Sequence, residues 1–186
     1  SKQVVQLDRG DEQAREQLRR LLEKGSRWDE LASVLEQEAM NAPDVETKIA
    51  LEKKLATLHE TKRKDLGAAA EVWARIAQLS PGDEVAIQTA VKHFEKAELF
   101  DLAAQAIADN VSSLEDKVTR AGLLAKLGEL RAKSADHGAA GDAFAEAAET
   151  FGPDGGSQTT KLWERAEKAY VDAERFTEAA NAVEQR

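Results

Sequence analysis

Residues 78–86, Gln78-Leu79-Ser80-Pro81-Gly82-Asp83-Glu84-Val85-Ala86, repeat residues 6–14, Gln6-Leu7-Asp8-Arg9-Gly10-Asp11-Glu12-Gln13-Ala14, at six of nine positions and an offset of 72. The match runs on at the same offset: Glu23-Lys24 meets Glu95-Lys96, and Trp28-Asp29 meets Phe100-Asp101. A second pair interleaves with the first. Asp65-Leu66-Gly67-Ala68-Ala69 matches Asp136-His137-Gly138-Ala139-Ala140 at an offset of 71, and Trp73 then faces Phe144. Self-similarity at a fixed period marks a repeat architecture, so this period governs everything else in the chain.

The period splits into two similar halves. A bulky residue stands at Trp28, Leu66, Phe100, His137 and Phe176, at spacings of 38, 34, 37 and 39. Three residues after each stand Leu31, Ala69, Ala103, Ala140 and Ala179, and four further on Leu35, Trp73, Ile107, Phe144 and Val183. Large, small, large at i, i+3 and i+7 is one face of a helix, with the small residue allowing a neighbouring helix to come close. Pro43 and Pro81 each follow an opening residue by fifteen positions and Pro153 by sixteen, where a helix has to stop.

Between these helices lie others with apolar stripes of their own: Leu18, Leu21 and Leu22; Ile49, Leu51, Leu55 and Leu58; Ile87, Val91 and Phe94; Leu123, Leu124, Leu127 and Leu130; Leu162, Trp163, Ala166 and Tyr170. Composition agrees. The chain has 34 Ala and 19 Leu against 15 Val plus Ile, and helix formers dominate it. The spacing predicts helices over 11–24, 27–40, 44–62, 65–79, 83–97, 99–111, 114–133, 137–150, 157–172 and 175–185. Ser112-Ser113-Leu114-Glu115 has the spacing of a capping box ahead of the seventh. The expected fold is all-α, with five antiparallel helix pairs in one array over 1–186 and units at 11–42, 43–81, 82–113, 114–153 and 154–186.

This pattern resembles the tetratricopeptide repeat. In that family a Trp, a Leu-Gly pair and a Tyr mark the first helix, an Ala, an aromatic and an Ala the second, and a Pro closes the unit. Trp163 and Tyr170 match first-helix marks, as does Leu127-Gly128. Ala69, Trp73, Ala77 and Pro81 match those of a second helix. No unit carries the full set, and the second and fourth first helices run about two residues long, through Lys62-Arg63-Lys64 and Lys133-Ser134-Ala135. The set resembles degenerate bacterial repeat proteins. The resemblance implies a right-handed α-solenoid that serves protein–protein interaction. The chain opens on Ser, and Val4-Val5-Gln6-Leu7 aligns with Ile76-Ala77-Gln78-Leu79 at the end of a second helix. The expectation is a slice of a longer array, with the remaining repeats of a parent protein beside it.

Little chemistry is on offer. There is no cysteine, which removes thiolate nucleophiles and thiolate metal sites. His59, His93 and His137 lie on different helices, and His59-Glu60 does not extend to a zinc-binding HExxH. His137 falls at an opening position and is read as packing, His59 as a surface residue. Phe151-Gly152-Pro153-Asp154-Gly155-Gly156-Ser157 lacks the Lys and the preceding strand of a phosphate loop and is read as an inter-repeat turn. Trp28, Trp73 and Trp163 are read as packing, and Lys62-Arg63-Lys64 as a helix end whose cations complement the macrodipole. A net charge of −9 argues against nucleic acid. No apolar run approaches the roughly 18 residues of a span. No enzyme activity, cofactor, metal or membrane insertion is expected, and a cytoplasmic location fits.

What remains is an extended surface for a partner. In the resembled family peptides lie along a groove lined by first helices. Carried onto this chain, that groove falls on Glu16, Arg20, Glu23 and Lys24; on Gln88, Lys92, Glu95 and Lys96; and on Lys161, Glu164 and Lys168. The recurrent lysines fit an acidic peptide or protein. A structural spacer or self-assembling segment, and a peptide-sensing regulatory module, are the other readings.

Overall fold

The computed structural model describes the backbone of residues 2–186 and the side chains of residues 12–186. Among the described residues there is no strand. The α-helices are α1 (Lys2–Lys24), α2 (Trp28–Met40), α3 (Val45–Leu58), α4 (Leu66–Leu79), α5 (Glu84–Lys96), α6 (Phe100–Asn110), α7 (Lys117–Lys133), α8 (His137–Phe151), α9 (Ser157–Asp172) and α10 (Phe176–Glu184). Odd-numbered helices are the first members of the expected pairs and even-numbered ones the second. Two compact units divide the chain, Ser1–Val72 and Trp73–Arg186, the boundary falling inside α4. In the first unit α2 packs on α1 and on α3. In the second, α6 packs on α5, α7 on α6, α8 on α7, α9 on α8 and α10 on α9. This neighbour-to-neighbour order is that of a helical repeat.

One turn recurs in all five pairs. Among the described residues, Ser26, Lys64, Glu98, Ala135 and Glu174 are those other than glycine with positive φ, between 54° and 59°, and each stands two positions before an opening residue. Four of these turns are Schellman motifs: the amide after the left-handed residue bonds a carbonyl five back (Arg27 to Leu22, Leu99 to Phe94, Asp136 to Arg131, Arg175 to Tyr170), and the left-handed residue's own amide bonds one three back. A left-handed residue reverses the chain in the fewest steps, and the two bonds satisfy carbonyls the helix end leaves open. The opening residues share a phase because the turns before them share a conformation.

The second pair differs by one inserted residue. Its turn bonds Asp65 N–H to the His59 carbonyl, one residue longer than the others, and His59–Arg63 form a π-helical turn. A π turn absorbs a single extra residue without breaking the helix. This accounts for the long first helix read in that unit. It also corrects the reading of His59, which is 3 % exposed, with Arg63 Nη1 at 3.0 Å from its Nδ1. Arg63 Nε also lies 2.9 Å from Asp29 Oδ1 on α2.

Aspartates start the helices. Asp44, Asp83 and Asp116 cap α3, α5 and α7 by accepting from the amides of Thr47, Ala86 and Thr119, and Asp136 caps α8 by accepting from Ala139. The Ser112–Glu115 capping box is not formed. Val111–Ser113 make a 3₁₀ turn, Leu114 is extended and buried, and α7 begins three residues later than expected, at Lys117. Ser113 Oγ instead accepts from Gly82 N–H and donates to the Asn110 carbonyl. A buried Leu114 and a carboxylate at position 116 outweigh the hydroxyl spacing.

The start of α1 is a third correction. Residues 2–24 form one helix that crosses Gly10, where the repeat match sets a boundary and a preceding helix tail over 4–7. Arg9 stands where the second copy has Pro81, and an arginine continues a helix that a proline would stop. The other turns follow expectation: Pro43 and Pro153 lie between pairs, and Gly152 and Gly156 supply positive φ in the turn before α9.

The large–small–large face is buried through most of the array. Leu31, Ala69, Ala103, Ala140 and Ala179 are all buried, as are Leu35, Ile107 and Phe144. Each such leucine or aromatic contributes about 1.5–3 kcal/mol by leaving water. Trp73 is half-buried, and Phe176 and Val183 of the last helix stay exposed.

Candidate partner-binding surfaces

The first unit holds a cleft of about 770 Å³. One wall is the face of α1 carrying Glu16, Arg19, Arg20 and Glu23. The other is the face of α3 and its π turn carrying Lys53, Lys54, Thr57, Leu58, Thr61 and Lys62. Trp28, Leu31 and Leu35 of α2 form the floor. Spacings of three and four residues put each wall's side chains on one helical face. Leu31 and Leu35 are buried, whereas Trp28 is only half-buried, so the sequence reading of Trp28 as a packed core residue holds in part. Lys62 Nζ lies 5.3 Å from the centroid of the Trp28 ring, a cation–π distance.

Cations outnumber carboxylates in the lining, five to two, in a chain whose net charge is −9. Arg19 is paired with Glu38 beneath it and with Glu12, and Arg20 with Glu16 at 2.6 Å. Lys53 and Lys54 are exposed and make no ion pair among the described residues. The cleft thus offers an aromatic and aliphatic floor between walls with uncommitted positive charge.

Sequence reasoning placed Glu16, Arg20 and Glu23 on a groove, and all three line this cleft; Lys24 does not. It read Lys62 as part of a helix end and did not single out Lys53 and Lys54, because the extra residue in that unit hid the register that the π turn restores.

In the second unit Gln88, Lys92 and Lys96 on α5 and Lys161, Glu164 and Lys168 on α9 are all exposed. Glu95 is half-buried and joins a chain of ion pairs across three first helices. Lys126 Nζ of α7 lies 2.9 Å from Glu95 and 3.5 Å from Glu129, and Glu129 lies 3.0 Å from Arg165 of α9. The Arg165 guanidinium also lies 4.2 Å from the centroid of the Phe144 ring. The hydrogen bond from Lys126 to Glu95 raises the lysine's pKa. These pairs line up α5, α7 and α9 on one surface of the second unit. Lys126, Glu129 and Arg165 were not picked out from the sequence; the fourth unit's long first helix concealed the match.

Among the described residues no group of three His, Asp or Glu side chains is placed to hold a metal ion, and no helix is long and apolar enough to cross a membrane.

No family model matches the chain, and no curated protein does. Several solved structures are similar, two of them as follows. One is BtubC (BKLC) from P. vanneervenii, at 16% identity, covering 90% of this chain and 74% of that one with a TM-score of 0.45. The other is a putative kinesin light chain with nearly identical TPR-like repeats from Podosopora anserina, at 13% identity, covering 93% and 92% with a TM-score of 0.49.

Proposed function

We propose that the protein is a non-catalytic interaction scaffold that holds an acidic peptide or protein segment against its first helices. The reading takes the five helix pairs as one interaction array. The observation that carries it is the α1–α3 cleft, where an apolar floor at Trp28, Leu31 and Leu35 lies between walls rich in Arg and Lys. An apolar anchor entering the cleft would leave water against the floor, while flanking carboxylates would meet Lys53, Lys54 and Lys62. Opposed charge of this kind steers encounter and selects against basic partners. In the second unit Lys92, Lys96, Lys161 and Lys168 provide further exposed cations, with Gln88 and Glu164 as polar neighbours.

An array of acidic peptides, each with or without one Leu or Phe, tests this. The proteins compared are the wild type, the Lys53→Glu/Lys54→Glu variant and the Lys92→Glu/Lys96→Glu/Lys168→Glu variant. Binding that needs both the apolar residue and the α3 lysines supports the cleft. Dependence on the second triple alone moves the site to the second unit. Equal binding by all three proteins excludes both surfaces.

A further inference from the structure

The α1–α3 cleft lies where the second unit has an ion pair. At the offset of 72 that relates the repeats, Glu23 corresponds to Glu95 and Lys54 to Lys126. The match is anchored on both helices. The left-handed residues Ser26 and Glu98 close α1 and α5 at that offset, and the caps Asp44 and Asp116, each accepting from a threonine amide, start α3 and α7 at it. Glu95 and Lys126 are half-buried and meet at 2.9 Å, joining α5 to α7. Glu23 and Lys54 are exposed and line opposite walls of the cleft, and neither has an ion-pair partner among the described residues.

Two differences in sequence go with the opening. Leu31 of α2 stands where α6 has Ala103, and it lines the floor between the two walls. A small residue there leaves room for neighbouring helices to approach, and a leucine fills that room. Thr57 of α3 stands where α7 has Glu129, whose carboxylate lies 3.5 Å from Lys126. Lys54 therefore lacks both of the carboxylates that its counterpart has. On the α1 wall Glu16 is held by Arg20, which leaves Glu23 as the lining carboxylate without a cation. An unpaired charge is costly to cover, so a segment that fills the cleft has to bring a countercharge to each wall.

We propose that the segment bound in this cleft carries one basic residue beside its acidic ones, the cation pairing with Glu23 on α1 while a neighbouring carboxylate pairs with Lys54 on α3. The bound segment takes the place of the Glu95–Lys126 contact and supplies the partner that each half lacks. Successive side chains of an extended chain point to opposite sides. Adjacent acidic and basic residues thus reach both walls from one point along the cleft, next to the apolar residue over Trp28. This rests on the acidic-peptide reading of the same cleft and adds a specificity-determining residue to it, because Glu23 favours a cation and disfavours an unbroken run of acid.

An acidic peptide with one Phe, scanned position by position with Lys and with its neutral isostere norleucine, tests this on the wild type, Glu23→Gln, Glu23→Lys and Lys53→Glu/Lys54→Glu. At one position Lys is expected to bind the wild type several-fold more tightly than norleucine. Glu23→Gln is expected to erase that preference and Glu23→Lys to reverse it. A wild type that nowhere prefers Lys, or a preference that survives Glu23→Gln, overturns the inference; the acidic-peptide reading stands in that case if binding is still lost in Lys53→Glu/Lys54→Glu. No binding by any peptide, or binding indifferent to Lys53→Glu/Lys54→Glu, overturns both. A double-mutant cycle in urea unfolding gives a readout without peptide. Glu23→Gln and Lys54→Gln are expected to be additive, and Glu95→Gln and Lys126→Gln are not. Coupling of Glu23 to Lys54 as strong as that of Glu95 to Lys126 overturns the inference, because the cleft would then supply its own countercharges.

Discussion

The Phe144 ring occupies the space that a side chain at Gly128 would need: a Cβ there would stand 2.5 Å from Phe144 Cε1. Gly128 is on α7 and Phe144 on α8, and the same device recurs at the next junction, where a Cβ at Gly141 would stand 2.5 Å from Tyr170 Cδ1 on α9. Two aromatic rings thus lie directly on the backbone of a neighbouring helix. Tight junctions of this kind hold the second unit together.

Gly128→Ala and Gly141→Ala are expected to destabilise the protein despite alanine's better helix propensity. That propensity returns about 1 kcal/mol, while forcing a buried ring aside costs about 1–3 kcal/mol. Gly122 lies on the same helix as Gly128 but a Cβ there meets nothing within 4 Å, so Gly122→Ala should stabilise by up to about 1 kcal/mol. Urea unfolding of the three variants reads the sign directly, and a loss at Gly122 would contradict the packing.

At the left-handed turns, glycine should improve on the native residue. A residue with a Cβ held in this conformation costs about 1–2 kcal/mol, partly offset by the greater freedom glycine has in the unfolded chain. Ala135→Gly and Glu98→Gly are each expected to raise the melting temperature, and Ala135→Val to lower it, because branching at Cβ worsens the clash. Differential scanning calorimetry checks all three.

The aspartate caps give the protein an acid limb. The Asp44 and Asp116 carboxylates are held below their usual pKa of 3.8, first by the backbone amides of Thr47 and Thr119 and then by the hydroxyls of the same residues. A carboxylate whose folded pKa is depressed contributes stability that is fully present above the unfolded pKa and is lost as pH falls through the folded value. Asp44→Asn and Asp116→Asn should therefore be destabilising at neutral pH, with the gap from wild type closing below pH 3.8. Thermal melts from pH 7 down to pH 2.5 follow it; a gap independent of pH would remove the charge from the account.

Tyr170 titrates late. Burial, then its hydrogen bond to Asp142 at 3.0 Å, push the phenol up to about 12. It is the chain's single tyrosine, so the ultraviolet phenolate band reports on it alone. A raised folded pKa means stability present below the unfolded value, near 10, and lost as pH climbs towards 12. The absorbance titration should show a midpoint well above 10 in the folded protein and fall back in urea, with Asp142→Asn bringing the folded midpoint down. A midpoint near 10 in the folded protein would mean the ring is not held as described.

Large, small, large spacing and three prolines were enough to place ten helices, because helical periodicity and chain reversal act over a few residues and leave their mark locally. The groove face with Glu16, Arg20 and Glu23 came from the resemblance to the tetratricopeptide repeat and not from periodicity. Neither placed Lys53, Lys54 and Lys62 opposite them. Their register depends on a π turn at His59–Arg63, which is settled by Arg63 reaching Asp29 on another helix. Likewise the hydroxyl spacing at Ser112 is local, but burial of Leu114 is not, and burial decided where α7 starts. Sequence by itself determined that the chain folds as paired helices and where each pair reverses. Only the tertiary structure decided that Trp28 floors an open cleft while Phe144 is sealed over Gly128, because solvent exposure depends on which neighbouring helix arrives to cover a side chain.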